Sequence, residues 1–191
     1  MQWYLDKYGD KSADRKDTFN MVFDMIAPSP IIVETGCVRM EEDYGAGYST
    51  VIFADYVATH GGKLITVDLS VDNIQTAKKL TKKWSKYIEY VQGDSVEFLK
   101  NFGATHPNQF IDLLYLDSFD YPEAGGDPFP CQNHQRKELA QVWKYVKQGG
   151  LILLDDNLIG EGGKTRITKE VLAHKGAKCL SDGGQQALYR K

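Results

Sequence analysis

The chain has 191 residues, of which 42% are hydrophobic and 26% charged, and a formal net charge of -3. That suits one compact domain with a full core over residues 1–191, and the slight acidic balance argues against a nucleic-acid partner, which needs a basic surface. Three cysteines without pair or zinc spacing, no export signal and no apolar run long enough for a bilayer lead to the expectation of a cytoplasmic protein in a reducing compartment with no membrane partner.

Residues 12–27 carry Phe19, Val22, Phe23 and Ile26 at helical spacing, which predicts an amphipathic helix stopped by Pro28 and Pro30. Residues 1–27 therefore read as a helical lead-in and 28–191 as the core. Trp3, Tyr4 and Leu5 offer apolar surface that suits a homodimer contact. Ile31-Ile32-Val33 is a β-branched run typical of a buried strand. A helix over 49–59, a strand over 63–68, a helix over 72–85 and a strand over 88–91 follow. Lys78, Lys79, Lys82, Lys83 and Lys86 read as the solvated face of the 72–85 helix rather than as a phosphate-binding patch. Next come a short helix over 95–102, a strand over 110–116, a helix over 134–147, the strand Leu151–Leu154 and a helix over 165–174. The tail from Ala177 to Arg190 reads as two strands around Asp182-Gly183-Gly184, a hairpin signal. Alternating strands and helices imply right-handed crossovers. The fold class is thus α/β: a Rossmann-like, doubly wound, mostly parallel seven-stranded sheet with a C-terminal antiparallel hairpin.

In such sheets ligands bind outside the carboxyl ends of the strands. Every central strand here ends in an acid: Glu34, Asp68, Asp94, Asp117 and the pair Asp155-Asp156. One such acid is ordinarily a helix cap or loop residue. A full set at equivalent positions points to a shared site, because like charges gather only where cations or donors offset them. The connection after the first strand, residues 34–50, holds Gly36, Gly45 and Gly47, which permit close backbone approach to a ligand. Ser49 or Thr50 is placed to cap the next helix, whose N-terminus favours negative charge. Asp68 is placed to accept hydrogen bonds from two ribose hydroxyls of an adenosine-containing cofactor.

The turn Glu34-Thr35-Gly36, Asp68 after the second strand, Gly93-Asp94-Ser95 after the third and Leu116-Asp117-Ser118 after the fourth resemble class I S-adenosylmethionine-dependent methyltransferases. The resemblance runs from about residue 30 to the C-terminus. It implies that Glu34, Gly36, Gly45 and Gly47 border the methionine part of the cofactor, with Ser49 at the adjoining helix start and Asp117 on the next strand end. It also implies that Asp68 holds the ribose and that Asp94 and Ser95 lie beside the adenine. The second half is similar to a narrower group, the metal-dependent O-methyltransferases of catechol, caffeoyl-coenzyme A and macrocin type. The match is Asp117 together with Gly149-Gly150-Leu151-Ile152-Leu153-Leu154-Asp155-Asp156, followed by Asn157. That resemblance implies a Mg²⁺ or similar hard cation on Asp117, Asp155 and Asp156, and a small-molecule hydroxyl as acceptor.

Two departures stand out. Catechol-type members carry a lysine three residues past the first metal acid, where this chain has Asp120, so Asp120 or His134 is the candidate general base. The stretch Arg39 to Tyr44 lengthens the glycine-rich loop, as a flap or a solvated bulge. Tyr44, Tyr48, Phe119, Tyr121 and Phe129 are candidates for an aromatic acceptor pocket, and His60, His106 and His174 read as structural. A cofactor-binding protein without catalysis is the alternative. A nicotinamide-dependent oxidoreductase is disfavoured because the compact G-x-G-x-x-G turn is missing.

Overall fold

The computed structural model describes residues 1–46, 48–160 and 162–191, with only the backbone described at Ala13. Gly47, expected at the cofactor, lies outside the described residues. The chain opens with a short helical turn α1 (Gln2–Tyr4), continued as a π-helical turn over Leu5–Gly9, and a 3-10 turn over Ala13–Arg15. There follow α2 (Lys16–Met25), β1 (Ile31–Thr35), α3 (Ser49–His60), β2 (Lys63–Asp68), α4 (Val71–Leu80), β3 (Ile88–Gln92) and α5 (Ser95–Thr105). The second half holds β4 (Ile111–Leu116), α6 (Phe129–Val142), β5 (Val146–Leu154), α7 (Arg166–His174), β6 (Lys178–Gly183) and β7 (Gln186–Arg190).

The seven strands form one sheet in the order β3-β2-β1-β4-β5-β7-β6, with β1 to β5 parallel and β7 antiparallel to both β5 and β6. Strand order reverses between β1 and β4, whose register pairs Val33 with Leu114 and Thr35 with Leu116. The carboxyl ends of β1 and β4 therefore lie side by side, which is where such sheets open a crevice.

Side chains alternate between two apolar layers, as the period of a strand requires. Ile32, Leu64, Leu113, Tyr115, Leu151 and Leu153 face α2 and α3, where Phe19, Phe23 and Phe53 are buried. Val33, Ile65, Leu114, Leu116, Ile152 and Leu154 face the other way, against Leu99 and Phe102 of α5 and Leu139 of α6. Being covered on both faces is why these strands read as continuous apolar runs.

Several boundaries differ from the sequence expectation. The helix expected over 12–27 is split into the 3-10 turn and the shorter α2. The helix expected over 72–85 ends at Leu80; the Thr81 hydroxyl donates to the Ala77 carbonyl at 2.6 Å, and a 3-10 turn covers Lys82–Tyr87. The five lysines of this stretch are exposed. Helix α6 begins at Phe129 rather than at 134, because proline is tolerated in a first turn whose N–H groups have no helical partner. His134 accordingly sits within the helix. The N-terminal residues are also corrected. Tyr4 is wholly buried, and Trp3 packs edge-on against Tyr8, Phe23, Tyr56 and His60 of the same chain. Of the apolar residues expected at a homodimer contact, Tyr4 thus belongs to the molecule's own core, and Trp3 and Leu5 pack half-buried against it.

Candidate active site

A cavity of about 520 Å³ opens at the carboxyl ends of β1, β2 and β4, within the size range of small-ligand sites. Of the residues singled out in the sequence, Gly36, Gly45, Ser49, Asp68, Asp94, Ser95, Asp117, Asp120, His134 and Asp156 line it. Glu34 and Asp155 do not, and both are completely buried.

Each wall has a local cause. Gly36 takes φ +78°, and a Cβ there would stand 2.6 Å from the Asp117 carbonyl oxygen, so only glycine lets the end of β1 lie against the end of β4. Asp68, at the end of β2, accepts from the Cys37 amide at 3.0 Å and the Ser70 amide at 2.8 Å, with the Asn73 side-chain amide 3.2 Å from both oxygens. Its carboxylate thus fixes the start of the glycine-rich loop while facing the cavity. Asp94 caps α5 by accepting from the Glu97 amide at 2.9 Å. The Ser95 hydroxyl lies 3.0 Å from His134 Nε2, and Glu138 Oε1 lies 3.5 Å from the same nitrogen. Burial lowers the proton affinity of His134, but the Glu138 carboxylate outweighs it and holds the imidazole above its ordinary pKa.

Glu34 works from behind the wall. Its carboxylate accepts from Ser49 Oγ at 2.6 Å, Thr50 Oγ1 at 2.8 Å and Thr66 Oγ1 at 2.7 Å. Burial pushes its pKa up to about 7 against the pull of those three hydroxyls. Thr50 in turn accepts from the Val38 amide at 2.9 Å. Glu34, expected to border a ligand, does not line the cavity: β1 runs on to Thr35, and Glu34 points into the interior and anchors the start of α3. Ser49 and Thr50 do not cap that helix, because both hydroxyls are donated to Glu34; the cap position falls on Tyr48 in a left-handed conformation.

Asp120 lines the mouth, where Arg39 Nη1 donates to it at 2.8 Å across an exposed pair. Arg39 thus links the lengthened glycine-rich loop to the loop after β4. Among the candidate aromatics, Tyr48 and Phe119 line the cavity. Tyr44 packs on Tyr48 with ring centroids 4.7 Å apart and Phe129 is exposed. Gly160, with φ +51°, lies against the Tyr121 ring.

The acids expected to hold a metal are paired with cations of the chain. Lys164 Nζ lies 2.9 Å from Asp117 Oδ1 and 3.0 Å from Asp156 Oδ2, and its side chain is wholly buried. Arg15 grips Asp155 through Nε at 2.9 Å and Nη2 at 3.0 Å, and donates Nη1 to the Gly45 carbonyl at 2.7 Å. Tyr115 and Gln186 also donate to Asp155. Among the described residues, no three His, Cys, Asp or Glu side chains converge on a point where an ion could sit. A divalent cation needs several unshared oxygen ligands. This donor set does not offer them, so Asp117, Asp155 and Asp156 as placed here do not fit the expected Mg²⁺. Burial and the neighbouring Asp155 and Asp156 charges raise the pKa of Asp117 against the opposing Lys164 ammonium. Burial acts in the same direction on Asp155, but Arg15 overcomes it and holds that group below the usual range.

A family model described as "Methyltransferase domain" matches residues 43–157, more than half of the chain. The chain belongs to that family. Comparison with curated proteins by sequence finds no match. In fold, the chain is similar to a TDP-rhamnose 3'-O-methyltransferase of calicheamicin biosynthesis, with TM-score 0.67 and 15% identity over 100% of this chain and 86% of that one. An O-methyltransferase from Bacillus cereus in complex with SAH gives TM-score 0.61 and 16% identity, covering 100% of this chain and 96% of that one. A TehB-like SAM-dependent methyltransferase from Corynebacterium glutamicum gives TM-score 0.55 and 14% identity, covering all of both chains. The sheet order, the antiparallel β5-β7-β6 edge and the family together make this chain a class I S-adenosylmethionine-dependent methyltransferase. No helix among the described residues is long and apolar enough to cross a membrane.

Two cations that pair with the strand-end acids went unread in the sequence. Arg15 sits in a short turn with no motif around it. Lys164 follows Gly162-Gly163 in the loop beyond Asp155-Asp156, and a lysine after a glycine pair at the carboxyl end of a strand is a signal that could have been weighed.

Proposed function

We propose that this methyltransferase transfers the methyl group of S-adenosylmethionine to a hydroxyl of a small molecule bound in the cavity at the ends of β1, β2 and β4. The observation that carries the reading is the convergence of the Gly36 turn, Asp68, the Asp94-Ser95 pair and Asp117 on one cavity. The chemistry of these groups fits the cofactor. Asp68 accepts two ribose hydroxyls, the flexible Asn73 amide giving way, while the Cys37 and Ser70 amides keep the carboxylate in place. Ser95 and His134 offer hydrogen bonds on the adenine side. The Gly45 and Ser49 segment borders the methionine side.

When bound, the cofactor supplies an electrophilic methyl group on a sulfonium; a C–O bond forms to the acceptor as the C–S bond breaks, leaving a neutral thioether. The chain's contribution is orientation, dehydration and removal of the hydroxyl proton. Asp117 suits proton removal better than Asp120 or His134. Asp117 lines the cavity and, among the described residues, its Oδ2 accepts only a long 3.3 Å hydrogen bond from Tyr115, whereas Asp120 is tied to Arg39 and His134 to Ser95 and Glu138. Tyr48 and Phe119 give the acceptor an apolar wall, and the sugar substrate named for one structural neighbour is compatible with a hydroxyl acceptor. The acid cluster, paired with Arg15 and Lys164, does not fit a divalent cation.

Calorimetry with S-adenosylmethionine and with its demethylated product tests the reading. Binding in the micromolar range is expected, of the order of common enzyme KM values. Asp68→Ala should weaken it by about 100-fold or more, the effect of losing two hydrogen bonds to a charged acceptor. Absence of heat with either compound would sink the proposal.

A further inference from the structure

At the ends of β4 and β5, three carboxylates and two cations of the same chain form one cluster: Asp117, Asp155 and Asp156 with Arg15 and Lys164. We propose that Lys164 is the resident cation of this cluster: its ammonium takes the position between Asp117 and Asp156 that a divalent ion would need, so methyl transfer here requires no added metal and Lys164 positions the Asp117 carboxylate. The proposal rests on the methyltransferase reading above.

The loop after β5 is shaped to deliver this side chain. Gly163 takes φ +65°, and a Cβ there would come 1.9 Å from the Asp156 carbonyl oxygen and 2.3 Å from that of Asn157, so the chain folds back upon itself only with glycine at this place. The fold-back is held by the Lys164 amide donating to the Asp156 carbonyl at 2.9 Å and by Gln132 Nε2 donating to the Gly163 carbonyl at 2.9 Å. From there the Lys164 stem runs through the interior to reach Asp117 and Asp156 together, with the Asp117 and Ser118 carbonyls each 3.4 Å from the ammonium.

Charge and ligand count exclude sharing the place with an ion. Asp156 Oδ1 already accepts from Gln185 Nε2 at 2.6 Å, and both Asp155 oxygens are taken by Arg15. The acids bring three negative charges and the cations two positive ones, leaving a single negative charge suited to a sulfonium-bearing pocket. A divalent ion added to this set would reverse the sign of the cluster. An ion replacing the ammonium would leave a wholly buried lysine without a counter-ion, which is strongly unfavourable.

The test is a Mn²⁺ titration of the full chain saturated with S-adenosylhomocysteine, followed by electron paramagnetic resonance. The unsubstituted chain should show no site binding up to about 1 mM Mn²⁺, outside the range of a functional metal site. Lys164→Ala should open the position and bind Mn²⁺ at least about tenfold more tightly than the unsubstituted chain, a gain that Asp156→Asn in the same background removes. Turnover of Lys164→Ala should fall and be partly restored by Mg²⁺, a rescue that a purely structural lysine would not show. Stoichiometric Mn²⁺ binding to the unsubstituted chain below about 100 µM, abolished by Asp156→Asn, would overturn the proposal. If Lys164→Ala does not fold, the unsubstituted chain and Asp156→Asn decide the matter alone. Heat of S-adenosylhomocysteine binding, measured separately, reports on the methyltransferase reading, so the two can fail independently.

Discussion

Glu34 lies inside β1 with three hydroxyl donors around its carboxylate and no exposure to water. Burial raises its pKa from the ordinary 4.5 to about 7, so the folded chain holds this proton more tightly than the unfolded chain does. Its contribution to stability is present in full below about pH 4.5 and is lost as the pH rises through about 7. The shift corresponds to about 3 kcal/mol as an order of magnitude. Urea unfolding of the parent chain and of Glu34→Gln between pH 5 and 8 isolates it, because other titrating groups cancel in the difference. The parent should lose stability relative to Glu34→Gln across that window, and parallel curves would show that burial does not govern this carboxyl. At this scale the sequence told which residue types stand at the strand ends but not which way they point. Glu34 and Asp68 each follow an apolar run, yet one is interior and the other faces the cavity, because β1 continues two residues past Val33.

The 3-10 turn over Ala13–Arg15 places one guanidinium where it ties the N-terminal segment to two others, Asp155 at the end of β5 and Gly45 in the glycine-rich loop. Removing it strands a buried carboxylate. Arg15→Met should cost roughly 3–5 kcal/mol, the range for breaking one side of a buried pair, whereas Asp155→Asn added to Arg15→Met should recover part of that loss. Chemical denaturation of the two single variants and the double variant measures the coupling. Additive effects would show that the pair does not act as a unit. Elements with strong periodicity were legible: α2, α5 and the central strands follow from apolar spacing alone. The start of α6 was not: expected at 134, it lies at Phe129, with Pro128 at the cap and Pro130 in the first turn, where a missing N–H costs no helical hydrogen bond.

Across the whole molecule, the crevice between the β1 and β4 ends is closed by segments far apart in the chain: Arg15, the 37–48 loop, the loop after β4 and Gln185 near the C-terminus. A ligand bound there should therefore stabilise the entire fold. At a hundredfold excess over its dissociation constant, S-adenosylhomocysteine should add about 2.7 kcal/mol and raise Tm by roughly 5–11 °C. Differential scanning calorimetry measures the shift. Hydrogen exchange should show the added protection at Cys37 and in the loop after β4, and protection confined to α7 or β6 would place the ligand elsewhere.

The order of strands and helices, the acids at strand ends and the family they resemble were fixed by sequence, because hydrophobic period and turn chemistry are local properties written into neighbouring residues. Whether those acids face a ligand, a metal or the chain's own cations was decided only in three dimensions. Arg15 stands 140 positions from Asp155 and Lys164 stands 47 from Asp117. No local pattern brings such residues together; the sheet and its loops do, and the charge of the site is the sum of what they assemble.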